Sequence, residues 1–151
     1  MAFKILLASD GSSGAIYAAE WLDQHAEQIP MQVTILTVAV ASVGLGQAAY
    51  VVEPDVHDQL VNAVLNEAED AARRTQSVMT HLNPLWITRT STNVVQTILD
   101  VADEYTVDFV VVGRRGYGTW SSAILGSVSL RLLTHSSRPI WVIPPAPEVR
   151  S

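Results

Sequence analysis

The sequence contains no cysteine and a single lysine, Lys4. The first absence excludes a disulfide framework, a thiol nucleophile and any cysteine-based zinc site. The second excludes a phosphate loop of the Gly-Lys-Ser/Thr kind, because the one lysine stands between Phe3 and Ile5. Positive charge is scarce in general. Nine basic residues face fifteen acidic ones, for a net charge of −6, which argues against a general binder of the nucleic-acid backbone. No apolar stretch reaches the roughly 18 residues of a membrane span, and Ile5 to Ala8 is too short for a signal-peptide core. The expectation is a soluble, cytoplasmic protein with neither membrane nor nucleic acid as a partner. At 151 residues, 48% hydrophobic and 16% charged, the chain is expected to form one domain over 1–146 with a tail at 147–151. A chain of this length buries about two-thirds of its unfolded surface.

What is present is a regular alternation. Phe3 to Ala8 is a short apolar run closed by Ser9-Asp10-Gly11-Ser12. From Ser13 the apolar residues Ile16, Ala19, Leu22, Ala26 and Ile29 recur at three- and four-residue steps, predicting a helix that Pro30 stops. Met31 to Val40 is rich in β-branched residues and reads as a buried strand. Ala41 to Glu53 has no clear period and reads as a loop. Pro54-Asp55 then starts a long apolar stripe running towards Leu82, and Asn83-Pro84 breaks it. Leu85 to Thr90 reads as a less buried strand. Thr92-Asn93 is placed to cap a helix with Val94, Val95, Ile98, Leu99 and Ala102 on its apolar face. Val107 to Val112, a glycine loop, a helix from about Ser127 to His135, and a last strand from Pro139 to Ile143 complete the order. Apolar strand runs joined by helices imply a parallel sheet covered on both faces. Ligands of such sheets sit outside the carboxyl ends of the strands, where strand order reverses. That rule points to Ser9–Ser12 and to the glycine loop.

The glycine loop carries the chemistry. Gly113 is followed after two residues by Gly116, and after nine more by Gly126-Ser127. Glycines let a backbone approach an anion closely, and helix-terminal N–H groups point at it. Simpler roles stand beside these: Gly113 and Gly116 as turn residues, Ser127 as a cap for its own helix, Asp10 as a cap for the first helix. Phosphoryl transfer needs a positioned base or water-orienting group together with charge neutralisation, and no such set is evident. No nucleophile elbow or metal-ligand cluster is evident either. His25, His57, His81 and His135 are dispersed and read as surface or helix-end residues. Trp21, Trp86 and Trp141 read as packing residues.

The Gly-x2-Gly-x9-Gly-Ser spacing, with Asp10-Gly11-Ser12 after the first strand, resembles the nucleotide-binding branch of the universal stress protein family. Val107 to Val112 and Arg138 to Ile143 look like that family's fourth and fifth strands, and the likeness extends from Phe3 to Pro144. The fold this implies is a single three-layer, Rossmann-like α/β domain, with a five-stranded, mainly parallel sheet in the order 3-2-1-4-5 and four helices. The resemblance further implies ATP or a related adenine nucleotide. Asp10 would face adenine or ribose, and the backbone around Val38 would meet the ring. Gly113 and Gly116 would pass close to ribose and phosphates, while the N–H groups of Gly126, Ser127 and Val128 with the Ser127 hydroxyl would take the terminal phosphates. Mg²⁺ would be held through the phosphates. Arg114 and Arg115, between the first two glycines, read either as a screen for phosphate charge or as a solvated loop. A homodimer through the last strand, Ile140 to Ile143, is implied as well. The expected role is a sensor or switch in stress response with at most slow ATP hydrolysis. The alternatives are a nucleotide-free dimeric stress scaffold and a slow ATPase.

Overall fold

Apolar residues occupy consecutive strand positions because both faces of the sheet are covered. The structure is a computed structural model that describes residues 1–40, 54–114 and 126–146. Strands and helices alternate through them: β1 (Phe3–Ala8), α1 (Ser13–Gln24), β2 (Met31–Val40), α2 (Pro54–Ser77), β3 (Leu85–Ser91), α3 (Val94–Glu104), β4 (Phe109–Gly113), α4 (Ser127–His135) and β5 (Ile140–Ile143). The strands form one sheet in the order β3-β2-β1-β4-β5, and every pairing is parallel. This is the Rossmann-like α/β fold expected.

Side chains at alternate strand positions feed two separate cores. Ile5, Leu7, Val33, Ile35, Phe109 and Val111 pack against Ala18, Ala19 and Leu22 of α1 and against Met79. On the other face Leu6, Leu36, Val110 and Val112 meet Val95, Ile98, Val101 and Ala102 of α3 and Leu132 of α4. Trp21, Trp86 and Trp141 flank the first core, as expected. Asn93 caps α3, its side chain accepting from the N–H of Gln96.

Two helices end earlier than their apolar stripes suggest. α1 stops at Gln24, and residues 25–29 form turns closed by bonds such as Ile29 N–H to His25 O at 2.9 Å. α2 stops at Ser77 instead of continuing to Leu82, because the N–H groups of Thr80, His81 and Leu82 turn to the carboxylate of Asp23 on α1.

Strand order reverses between β1 and β4: the chain first builds outward from β1 to β3, then crosses back to place β4 on the other side. The carboxyl ends of β1 and β4 are therefore the switch point at which α/β sheets bind ligands. α2, with 24 residues, is about 36 Å long. Its residues Ala71 and Thr75 meet Gly11 and Ser9 at the carboxyl end of β1. The helix before them, with exposed Val56 and Leu60, therefore extends past that edge of the sheet.

Candidate functional site

The loop after β1 is held by a chain of hydroxyl hydrogen bonds whose direction is determined. Thr75 Oγ1 donates to the carbonyl of Ala71 at 2.7 Å. Its single proton is thereby used, so the 2.7 Å contact with Ser9 Oγ has Ser9 donating. Ser9 Oγ in turn accepts from the N–H of Gly11 at 3.1 Å. Both hydroxyls are buried, Ser9 6% and Thr75 0% exposed, so this relay fastens the β1 loop to α2. Gly11 takes φ +75°, and a Cβ there would stand 2.9 Å from the Cβ of Ala71. The left-handed backbone and the close approach of α2 both require glycine.

Ser12, not Asp10, caps α1, accepting from the N–H of Ala15. Asp10 is exposed at the carboxyl end of β1, and its Oδ1 accepts the Ser12 N–H at 2.9 Å. The carboxylate thus keeps its second oxygen outside the cap.

At the end of β4, Gly113 is tight against α1. A Cβ on it would come 2.8 Å from the carbonyl carbon and oxygen of Gly14. Ser129 Oγ donates to the Gly113 carbonyl at 3.0 Å from the other side. The glycine loop is tied at both ends: Gly126 N–H donates to Arg114 O at 2.8 Å, and Arg114 N–H donates to Ile143 O at 2.9 Å. Gly116 and the rest of 115–125 lie outside the described residues.

Gly126 is the N-cap residue of α4, which makes Ser127 its first helical residue, exposed, and no side chain among the described residues caps this helix. α1 and α3 are capped by Ser12 and Asn93. Of the three N–H groups expected to meet phosphate, that of Gly126 is already given to Arg114, which leaves those of Ser127 and Val128. Val128 and Val38 are half-buried against the second core. The structure therefore brings Asp10, Gly113, Arg114, Gly126, Ser127 and Val128 to the carboxyl ends of the adjacent strands β1 and β4. Val38 lies towards the corresponding end of β2, next to β1.

Other features were not anticipated in the sequence. Arg74 of α2 reaches this edge, its Nη2 standing 2.5 Å from where a Cβ of Gly11 would be. At the opposite end of the molecule Asp23 is 5% exposed and bonded to His81. Among the described residues no group of three His, Asp or Glu side chains is placed to hold a metal ion. No helix among them is long and apolar enough to cross a membrane.

The family model of the universal stress proteins matches residues 1–144. The chain is similar to the universal stress protein Sll1654 of Synechocystis sp., 42% identical over 48 residues; the match spans 32% of this chain and 31% of that relative. Universal stress protein UspA from Lactobacillus plantarum superposes with a TM-score of 0.74 at 26% identity, covering 93% of this chain and 97% of that one. Two solved structures hold ligands. A universal stress protein in complex with cAMP has a TM-score of 0.60 at 22% identity, covering 97% of this chain and 100% of that one. The universal stress protein from Archaeoglobus fulgidus in complex with dAMP has a TM-score of 0.63 at 16% identity, covering 95% and 98%. At these identities the two ligand-bound structures share the fold.

Proposed function

The chain belongs to the universal stress protein family, and from that premise we propose that it binds an adenine nucleotide across the carboxyl ends of β1, β2 and β4. The observation that carries this reading is the start of α4: a helix that no side chain among the described residues caps, opening beside the end of β4 at the switch point. Its first N–H groups and its positive dipole end suit an anion. The cAMP and dAMP held by two structures of the same fold favour an adenine nucleotide as that anion.

In this reading Asp10 accepts from the exocyclic amine or a ribose hydroxyl, and the backbone at Val38 meets the base. Gly113 and Gly116 border the ribose and phosphates, and Arg114 adds positive charge. The Ser127 and Val128 N–H groups, with the Ser127 hydroxyl, take the terminal phosphates. Mg²⁺ comes with the nucleotide, chelated by phosphate oxygens. ATP is the proposed ligand, and the role is that of a sensor or switch. β5 is an edge strand whose apolar residues need cover. Leu130 and Leu133 of the preceding helix α4 are also exposed, at 53% and 47%. We assign this edge to a homodimer through Ile140 to Ile143.

The test is direct. Purified protein is denatured and its supernatant examined by absorbance and mass spectrometry, and the stripped protein is titrated calorimetrically with ATP, AMP and cyclic AMP. Carried or titrated adenine nucleotide is expected, and Gly116→Val is expected to lose it while remaining folded. Protein that neither carries nor titrates any of them is a scaffold, and the reading falls.

A further inference from the structure

Arg74 is placed by backbone contacts that leave little freedom in where its side chain begins. Ala71, one turn earlier on α2, would have its Cβ 2.9 Å and its Cα 3.1 Å from a Cβ on Gly11. Thr75, the next residue, is bonded to Ser9 through the hydroxyl relay. α2 is therefore fastened to the β1 loop on both sides of Arg74. Its guanidinium lies over Gly11, with Nη2 2.5 Å from the position of the missing Cβ, directly beside Asp10 in the chain. Any side chain at position 11 would occupy this space.

The neighbouring arginine is differently occupied. Arg73 pairs with Glu69 at 3.6 Å and stands 5.7 Å from the centre of the Trp86 ring. Arg89 and Arg138 also hold carboxylates, Glu104 and Asp103. None of the ion pairs among the described residues includes Arg74, which is exposed. On the other side of Gly11, Asp10 uses Oδ1 for the Ser12 N–H and no hydrogen bond among the described residues takes Oδ2. A pure donor and a pure acceptor thus flank one glycine at the edge where the base is proposed to lie.

We propose that Arg74 is a base-reading residue of this site, its guanidinium donating to a ring nitrogen of adenine while Asp10 accepts from the exocyclic amine. The proposal rests on the nucleotide reading above. Adenine displays an amine donor beside the N7 acceptor, which matches a carboxylate beside a guanidinium. On the same N7 edge guanine displays two acceptors, O6 and N7, so one of them would face the carboxylate. For a purine presented by its N7 edge the pair therefore selects adenine over guanine. An exposed guanidinium that only balanced phosphate charge would make no such distinction.

Calorimetric titration of wild-type protein, Arg74→Met and Arg74→Lys with ATP, adenosine and GTP tests this. Met keeps the apolar stem, so the thermal midpoint without ligand is expected to stay that of the wild type. Arg74→Met is expected to weaken ATP and adenosine alike, by about tenfold or more, and to narrow the preference for ATP over GTP. Lys recovers part of the loss, because it keeps a donor but not the planar fork. Wild-type affinity for ATP and adenosine in Arg74→Met overturns the proposal and leaves the nucleotide reading intact. A loss confined to ATP also overturns it, since it assigns the guanidinium to the phosphates. Wild-type protein that binds neither ATP nor adenosine defeats the nucleotide reading itself.

Discussion

Asp23 on α1 and His81 beyond the end of α2 meet through Oδ2 and Nδ1 at 2.8 Å, although 58 residues separate them. The same carboxylate accepts the N–H groups of Thr80 at 2.9 Å, His81 at 2.9 Å and Leu82 at 2.8 Å. It is the acceptor around which the α2–β3 connection turns. Asp23→Ala leaves those donors without a partner, at a cost of about 3 kcal/mol. For a domain of this size that lowers the thermal midpoint by about 6–12 °C. Asp23→Asn keeps one oxygen and is expected to lose less. Melting both variants by circular dichroism decides it: an Asp23→Ala midpoint equal to that of wild type would remove Asp23 from this role.

The same pair makes stability depend on pH in two directions. Burial pushes the Asp23 carboxyl up. The Leu82 N–H, the His81 ring and the N–H groups of His81 and Thr80 together outweigh that and hold it below its ordinary 3.8. His81 is raised above its ordinary 6.5, first by its hydrogen bond to Asp23 and then by that residue's charge. The Asp23 contribution is full above 3.8 and is lost as pH falls through its lowered value in the folded protein. The His81 contribution is full below 6.5 and is lost as pH rises through its raised value. The midpoint difference between wild type and His81→Asn should therefore shrink as pH is taken from below 6.5 to well above it. A difference that stays constant over that range would mean that protonation of His81 adds nothing.

Two buried threonines predict effects of opposite sign from the same substitution. Thr75 is 0% exposed, and its hydroxyl both donates to Ala71 O and accepts from Ser9. Thr37 on β2 is 3% exposed, and its Oγ1 has no hydrogen-bond partner among the described residues. Thr75→Val strands the Ser9 hydroxyl and is expected to cost about 1–2 kcal/mol. Thr37→Val removes a desolvated, unpaired hydroxyl and is expected to gain up to about 1 kcal/mol. Urea denaturation of the two variants beside wild type measures both. Equal signs would contradict the hydrogen-bond assignments.

These threonines, with Asp23, also mark where the sequence stops being readable. The order of strands and helices was legible because it depends on local periodicity, and Asn93 as a cap depends on a partner three residues away. Asp23 stands between apolar positions of α1 and looks solvent-facing. Its partners are 57 to 59 residues distant, so no local pattern reports them. That is also why α2 was expected to run on to Leu82. The positions of Asp10 just past a strand, Gly113 at a strand end and Ser127 at a helix start were legible in the sequence, but the N–H of Gly126 is taken by Arg114 across the loop. The approach of Gly14 to Gly113, and of Arg74 to Gly11, are contacts between elements that only the packed fold brings together.

Ser127 offers a substitution that separates anion binding from helix stability. It is the first residue of α4, exposed, with no acidic residue in that helix's first turn and no side-chain cap among the described residues. Ser127→Asp places a carboxylate at the positive end of the helix dipole, which stabilises the unliganded protein by about 0.3–1 kcal/mol. The same charge occupies the position proposed for the terminal phosphates. Like charges at such range repel by several kcal/mol in a partly desolvated setting, so ATP affinity is expected to fall by about tenfold or more. Adenosine, which brings no phosphate, should bind Ser127→Asp as it binds wild type. Thermal melting and paired titrations with ATP and adenosine supply the measurements. A midpoint that holds or rises while only ATP is lost places the phosphates at α4. Equal losses for ATP and adenosine would instead mean that the substitution disturbed the whole site, and unchanged ATP affinity would remove α4 from it.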